Sequence, residues 1–283
     1  MMQVSVLGIV GAGQMGAGIA QVAAQSGIAV KLVDVNSDAA KRGLSGIEKQ
    51  LRTRVSRGKL AAAESDAILG RITAGADFDL LGDADFVIEA ATESNEIKRN
   101  VFEKADATAP AHAILATNTS AIPITKLAAH TRRPHQVIGM HFMNPAPVMR
   151  LVEIIRGLQT ADDTVLTARE LATRMGKDVI GSNDVPGFIV NRMLIPFLNE
   201  ACFALQEGLG TAEDIDRGAK LGLNHPMGPL ELADLIGLDT VLYMSEVLHR
   251  EFGDGKYRPP TILRNHVAAG WLGRKTGRGF YKY

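Results

Sequence analysis

At roughly 150 residues per domain, a chain of 283 residues makes about two domains, each with enough length to bury a substantial core. Lys plus Arg number 31 and Asp plus Glu 31, so binding to polyphosphate would need locally clustered charge, and a nucleic-acid-binding protein is disfavoured. The single cysteine, Cys202, excludes an intramolecular disulfide and a Cys-based zinc site; in its apolar setting, Leu198 to Leu205, it reads as an inert thiol on a buried helix, and no metal site is expected. No Lys or Arg precedes Lys31, and no apolar run approaches the ~18 residues of a membrane span. The expectation is therefore a cytoplasmic protein with neither a signal peptide nor a membrane partner.

In chain order, Val4 to Val10 is a β-branched apolar run ending in glycines, and the Ala-rich stretch Met15 to Gln25 has helical spacing. Ala29 to Val33 predicts a second buried strand closing at Asp34, which completes a parallel βαβ unit. Helices are expected over Asp38 to Leu60 and Ala61 to Leu69. Short apolar runs follow at Phe86 to Ala90, Ile114 to Thr117 and Val137 to His141, each after a helical or capping segment, in the cadence of a doubly wound sheet. Beyond the loop Asn144-Pro145-Ala146-Pro147, the alternation from Val148 to Ile155 predicts a late strand returning beside the His141 strand. At Asp184-Val185-Pro186-Gly187 the pattern turns almost wholly helical. The expected fold is α/β, a Rossmann-type doubly wound sheet over residues 1–184 followed by an all-helical C-terminal domain over 185–283.

Gly11-Ala12-Gly13-Gln14-Met15-Gly16 matches G-x-G-x-x-G between a predicted strand and helix, with Asp34 at the end of the next strand. Gly11 suits the tight turn, Gly13 lets the backbone approach a pyrophosphate, and Gly16 allows close helix packing. The helix N-terminus offers unpaired N–H groups to phosphate. An acid at Asp34 accepts hydrogen bonds from ribose hydroxyls and repels a 2′-phosphate, which favours NAD over NADP. His141 ends a strand whose carboxyl end faces the same crevice, and Glu153 can steady one of its ring nitrogens while the other acts as a general base. Thr117-Asn118-Thr119-Ser120 follows another strand end and can either cap a helix or point polar groups into that crevice. Asn191, at the start of an apolar helix, reads equally as a substrate contact or a packing hydrogen bond. Arg52, Arg54, Arg57 and Lys59 form a basic cluster: a solvated helix face, or a docking surface for a phosphorylated ligand.

Taken together, Gly8 to Gly16, Thr117 to Ser120, Gly139-Met140-His141-Phe142-Met143-Asn144-Pro145, Leu151-Val152-Glu153, Pro186 to Arg192, His225-Pro226-Met227-Gly228-Pro229 and Gly273 to Tyr281 resemble the short-chain L-3-hydroxyacyl-CoA dehydrogenases over essentially the whole chain. The resemblance implies NAD-dependent reversible oxidation of a short 3-hydroxyacyl-CoA, (S)-3-hydroxybutyryl-CoA foremost, to the 3-ketoacyl thioester. It implies His141 as catalytic base with Glu153 as partner, and Ser120 and Asn191 at the reacting region. Asp34, Glu93, Lys98, Ser120, Asn144 and Lys275 match family positions around NAD, beside the glycine loop with Gln14 and Met15. The nucleotide part of coenzyme A falls on the basic helix at Gln50, Arg54 and Arg57, where some relatives carry serine or lysine. A homodimer through the C-terminal domain is also implied. Two rival functions remain at this stage: an NAD-dependent dehydrogenase of a free 3-hydroxy acid, disfavoured because such enzymes often use lysine where His141 stands, and a catalytically silent dinucleotide-binding sensor.

Overall fold

A computed structural model describes residues 2–283, which divide into two compact units, one running to Val185 and the other Pro186–Tyr283. The first unit runs β1 (Val6–Val10), α1 (Gln14–Gln25), β2 (Ala29–Val33), α2 (Ser37–Ser56), α3 (Ala62–Leu69) and β3 (Ile72–Gly75). It continues with β4 (Phe86–Glu89), α4 (Asn95–Thr108), β5 (Ile114–Thr117), α5 (Ile124–Ala128), β6 (Val137–Phe142), β7 (Leu151–Arg156), α6 (Asp162–Arg174) and β8 (Asp178–Asn183). The eight strands form one sheet in the order β3-β2-β1-β4-β5-β6-β7-β8. Every pairing is parallel except β6 with β7. The strand order reverses between β1 and β4, the switch point at which open α/β sheets bind ligands beyond their strands' carboxyl ends. The α/β doubly wound fold expected from the apolar runs is the one found.

The inner strands β4, β5 and β6 are buried along their whole length, which is why they read as continuous apolar runs. The two outer strands, β3 and β8, went unpredicted. Only Ile72 of β3 is buried, and β8 has no buried residue, so neither edge strand carries an apolar signal. Some predicted elements are also shorter than expected, β1 by two residues at its start. Residues Val148 to Arg150 are loop, not strand: the Val148 and Met149 N–H groups both donate to the Pro145 carbonyl, each at 3.0 Å, in a turn. The long helix stops at Ser56 with Arg57 as its C-cap, because Gly58 turns the chain through a positive φ of 67°.

The second unit is helical: α7 (Val190–Gln206), α8 (Ala212–Gly222), α9 (Pro229–Ile236), α10 (Leu238–Phe252) and α11 (Thr261–Ala268). Two buried aspartates hold its ends together. Asp216 accepts from the backbone of Leu230 and Glu231 at 2.8 and 2.9 Å and from the Tyr281 hydroxyl at 2.8 Å. Asp234 accepts from the backbone of Phe280 and Tyr281 at 3.0 and 2.9 Å, which pins the C-terminal tail. Cys202 is fully buried on α7, where burial and the nearby Asp234 and Asp216 carboxylates push its thiol pKa far up and keep it unreactive. Among the described residues, no helix is long and apolar enough to cross a membrane.

Candidate active site

The glycine loop joins β1 to α1 at the switch point. Gly11 has φ +104°, and a Cβ there would lie 2.6 Å from the Ala90 carbonyl oxygen, so the turn excludes side chains. A Cβ on Gly16 would meet the Gly11 carbonyl, which fixes how closely α1 approaches the loop. Gly13 has open space where its side chain would be, and no side chain caps the N-terminus of α1. Backbone N–H groups are thus left facing an approachable space, as a pyrophosphate requires. Asp34, directly after β2, accepts from the Ala12 N–H at 2.5 Å and the Val35 N–H at 2.6 Å, so its carboxylate is held against the glycine loop. Gln14 is exposed beside the loop and Met15 packs partly buried against the core. This open cradle with an acid at its rim fits the adenosine and pyrophosphate of NAD.

Four neighbouring strand ends carry the polar groups of the candidate site. His141 and Glu153 are directly opposed across the antiparallel β6–β7 pair, so their side chains leave the sheet on the same face. His141 Nδ1 lies 2.7 Å from Glu153 Oε2, with side-chain exposures of 7% and 0%. A carboxylate only accepts hydrogen bonds, so a neutral imidazole in this pair carries its proton on Nδ1 and presents Nε2 as an acceptor. The Ser120 hydroxyl, 3.1 Å from Nε2, can donate to it.

Behind Ser120 stands a second group of charges. Glu93 Oε1 accepts from the Thr119 hydroxyl and from the Ser120 N–H, the latter at 3.1 Å. Lys98, buried on the first turn of α4, places Nζ 2.8 Å from both oxygens of Glu89 and 3.4 Å from Glu93 Oε2. Thr117 donates to Glu89 at 2.7 Å, and Asn118 Oδ1 accepts from the Phe142 N–H at 2.9 Å. Burial pushes the Glu89 carboxyl up, against the pull of Lys98 and its hydrogen bonds. The structure therefore joins Glu93, Lys98, Ser120, His141 and Glu153 in one polar run across β4 to β7. Glu89, Thr117 and Thr119 belong to it without having been singled out for these contacts. A carboxylate ending the wholly buried run Phe86–Glu89 was the available signal.

Asn144 follows β6, and its Oδ1 accepts from Gln14 Nε2 at 3.0 Å, so it sits beside the glycine loop. In the second unit, Asn191 is half-buried at the start of α7, after Phe188 with φ +50°, and the Arg192 guanidinium lies 4.0 Å above the Phe252 ring. Lys275 pairs with Asp239, its Nζ 2.6 Å from Oδ1.

In the sheet unit, α2 lines a cavity of about 550 Å³ together with α1 and the 144–149 loop. Gln50, Arg54 and Arg57 all face it, as do Lys49, Thr53 and Lys59 of the same segment, Gln21 of α1, and Pro147 and Val148. Arg52 turns away to Asp66 at 2.9 Å and Glu48 at 3.7 Å. Lys49 and Thr53 were missed, although their i, i+4 spacing, continued to Arg57, marks the same helix face.

The sheet order, the glycine loop and the acid after β2 define a dinucleotide-binding protein with a histidine–carboxylate pair at its sheet edge. Family comparison narrows the class: the NAD-binding domain of 3-hydroxyacyl-CoA dehydrogenase matches residues 6–185, and the C-terminal domain of 3-hydroxyacyl-CoA dehydrogenase matches residues 187–283. The chain belongs to the 3-hydroxyacyl-CoA dehydrogenase family. It is 51% identical over 282 residues to a probable 3-hydroxybutyryl-CoA dehydrogenase of Bacillus subtilis, covering 100% of this chain and 98% of that one. Identity is also 51% to a 3-hydroxybutyryl-CoA dehydrogenase of Bradyrhizobium diazoefficiens, over 98% of this chain and 94% of the other. Among solved structures, (S)-3-hydroxybutyryl-CoA dehydrogenase PaaH1 of Ralstonia eutropha superposes with a TM-score of 0.96 at 49% identity, covering 99% of each chain.

Proposed function

We propose that this protein reversibly oxidises (S)-3-hydroxybutyryl-CoA, or a close short-chain relative, to the 3-ketoacyl thioester. The observation that carries this is the run Ser120–His141–Glu153, with contacts of 3.1 and 2.7 Å, at the carboxyl edge of a sheet whose glycine loop fits NAD. Supporting the substrate is the likeness to chains named for 3-hydroxybutyryl-CoA, together with a basic cavity suited to the nucleotide phosphates of coenzyme A. When bound, NAD+ supplies the acceptor for the hydride leaving C3. His141 Nε2 takes the hydroxyl proton, and the Glu153 carboxylate holds the Nδ1–H tautomer and stabilises the imidazolium that forms. Ser120 and Asn191 orient the reacting oxygen and acyl portion. In the reductive direction the same imidazolium returns its proton to the carbonyl oxygen. Asp34, Glu93, Lys98, Asn144 and Lys275 hold the dinucleotide; Gln50, Arg54 and Arg57 hold the coenzyme A nucleotide. Residues 1–184 form the cofactor domain, and 185–283 form a substrate and dimerisation domain of a cytoplasmic homodimer.

The test is an NADH absorbance assay with 3-ketoacyl-CoAs of increasing chain length, free acetoacetate, and NADPH as a control. Oxidation of NADH is expected with acetoacetyl-CoA at a kcat/KM at least about tenfold above that with NADPH or with the free acid. Turnover of the free acid with none of the thioesters would sink the assignment.

A further inference from the structure

Lys177, just before β8, is buried, and its Nζ donates to two backbone carbonyls, Ala146 at 2.5 Å and Met149 at 2.8 Å. Burial pulls its pKa down. An ammonium so placed is expensive to bury, and an apolar chain of similar reach would fill the same space at less cost. What the apolar chain could not do is gather two carbonyls of one loop. That loop runs from β6 to β7 and also packs on α1. A Cβ on Gly18 would come within 3.1 Å of Pro147 Cδ and 3.3 Å of Ala146 Cβ. Near the loop's start Asn144 touches Gln14 at the glycine loop, and the loop's middle, Pro147 and Val148, walls the basic cavity. Its last carbonyl, that of Arg150, accepts from the Asp178 N–H at 2.9 Å, next to Lys177 itself.

The geometry points to Lys177 as a positioning residue: through the Ala146 and Met149 carbonyls it clamps the 144–149 loop, and so sets the cofactor end and the coenzyme A end of the site with one segment. This rests on the thioester function proposed above for the cavity end, but not for the clamp. Lys177 touches neither ligand cradle directly, and acts only through the loop.

The experiment compares Lys177→Met with wild type by hydrogen exchange over residues 144–150, NADH affinity by fluorescence titration, and steady-state kinetics with acetoacetyl-CoA. Expected are faster exchange at the Val148 and Met149 amides, and a paired rise of about threefold or more in the NADH Kd and the thioester KM, with kcat within about twofold. Lys177→Arg, which keeps the donors, is expected to restore much of both constants. Gly18→Ala disturbs the same loop from α1 with the buried charge intact, and Ala favours the helix, so it provides a folded variant even if Lys177→Met fails to accumulate. It is expected to weaken both constants together. Unchanged exchange, Kd and KM in the folded variants, with only the melting temperature lowered, would overturn the clamp and leave Lys177 as packing. Wild-type protein inactive toward every thioester would instead overturn the substrate assignment, while exchange and NADH affinity would still decide for or against Lys177.

Discussion

The sheet edge and the α2 cavity both concentrate charge, but they treat it in opposite ways. At the edge, Lys98, Glu89 and Glu153 are almost wholly removed from solvent, and each is fixed by partners within 2.8 Å. At the cavity, Arg57 is exposed, Arg54 is half-buried, and neither forms an ion pair among those described, while Arg52 spends its charge on Asp66 and Glu48. Buried, fully bonded groups are preorganised, so they act on a transition state without having to reorganise at the moment of reaction. Wet cations on long side chains adapt to a flexible polyphosphate and attract it from a distance, but contribute little orientation. In the proposed reaction, fixed charge serves rate at one place and mobile charge serves affinity at the other.

The sharpest way to break that contrast is His141→Ala. It is expected to lower kcat by about 10²-fold or more, with NADH affinity nearly unchanged, because the glycine loop and Asp34 are untouched. Near-normal turnover would refute the base assignment. Next in size is Glu153→Gln, which keeps the shape and an acceptor for Nδ1 but removes the charge opposite the imidazolium. Its kcat is expected to fall on the order of tenfold, with the far-UV spectrum retained, and an unaltered rate and pH profile would contradict the pairing.

Legibility in the sequence follows burial. β2 and β5 can be bounded from their apolar runs because both faces of an inner strand are covered, whereas the edge strands β3 and β8 present mixed residues and vanish into the background. Likewise the pairing of β6 with β7 is readable: a proline-rich loop between two apolar runs returns the chain, and a twelve-residue separation of His141 and Glu153 then suits a hairpin. The Lys98–Glu89–Thr117 cluster was not readable, since it joins α4, β4 and β5, and only the parallel register of Glu89 with Thr117 brings the two together. The cavity fell between these cases. Its basic face is written in the i, i+4 spacing of α2, but the wall supplied by Pro147 and Val148 depends on a loop held by Lys177, nearly thirty residues further on.

The smallest expected effect separates the two regions most directly. Reversing Arg54 and Arg57 to Glu replaces attraction by repulsion at solvent-accessible sites, where single charges are worth about 1 kcal/mol or less, so the KM for acetoacetyl-CoA is expected to rise about fivefold with kcat held. Salt supplies the internal control. In wild type the KM for the thioester is expected to climb with ionic strength, as screening shortens the reach of the arginines, and in the double variant that dependence is expected to flatten or change sign. The kcat should follow neither change, since the His141–Glu153 contact lies out of reach of mobile ions. A KM indifferent to both charge reversal and salt would return α2 to an ordinary solvated face. A kcat that moved with salt would mean that the exposed cations also help to align the reacting end.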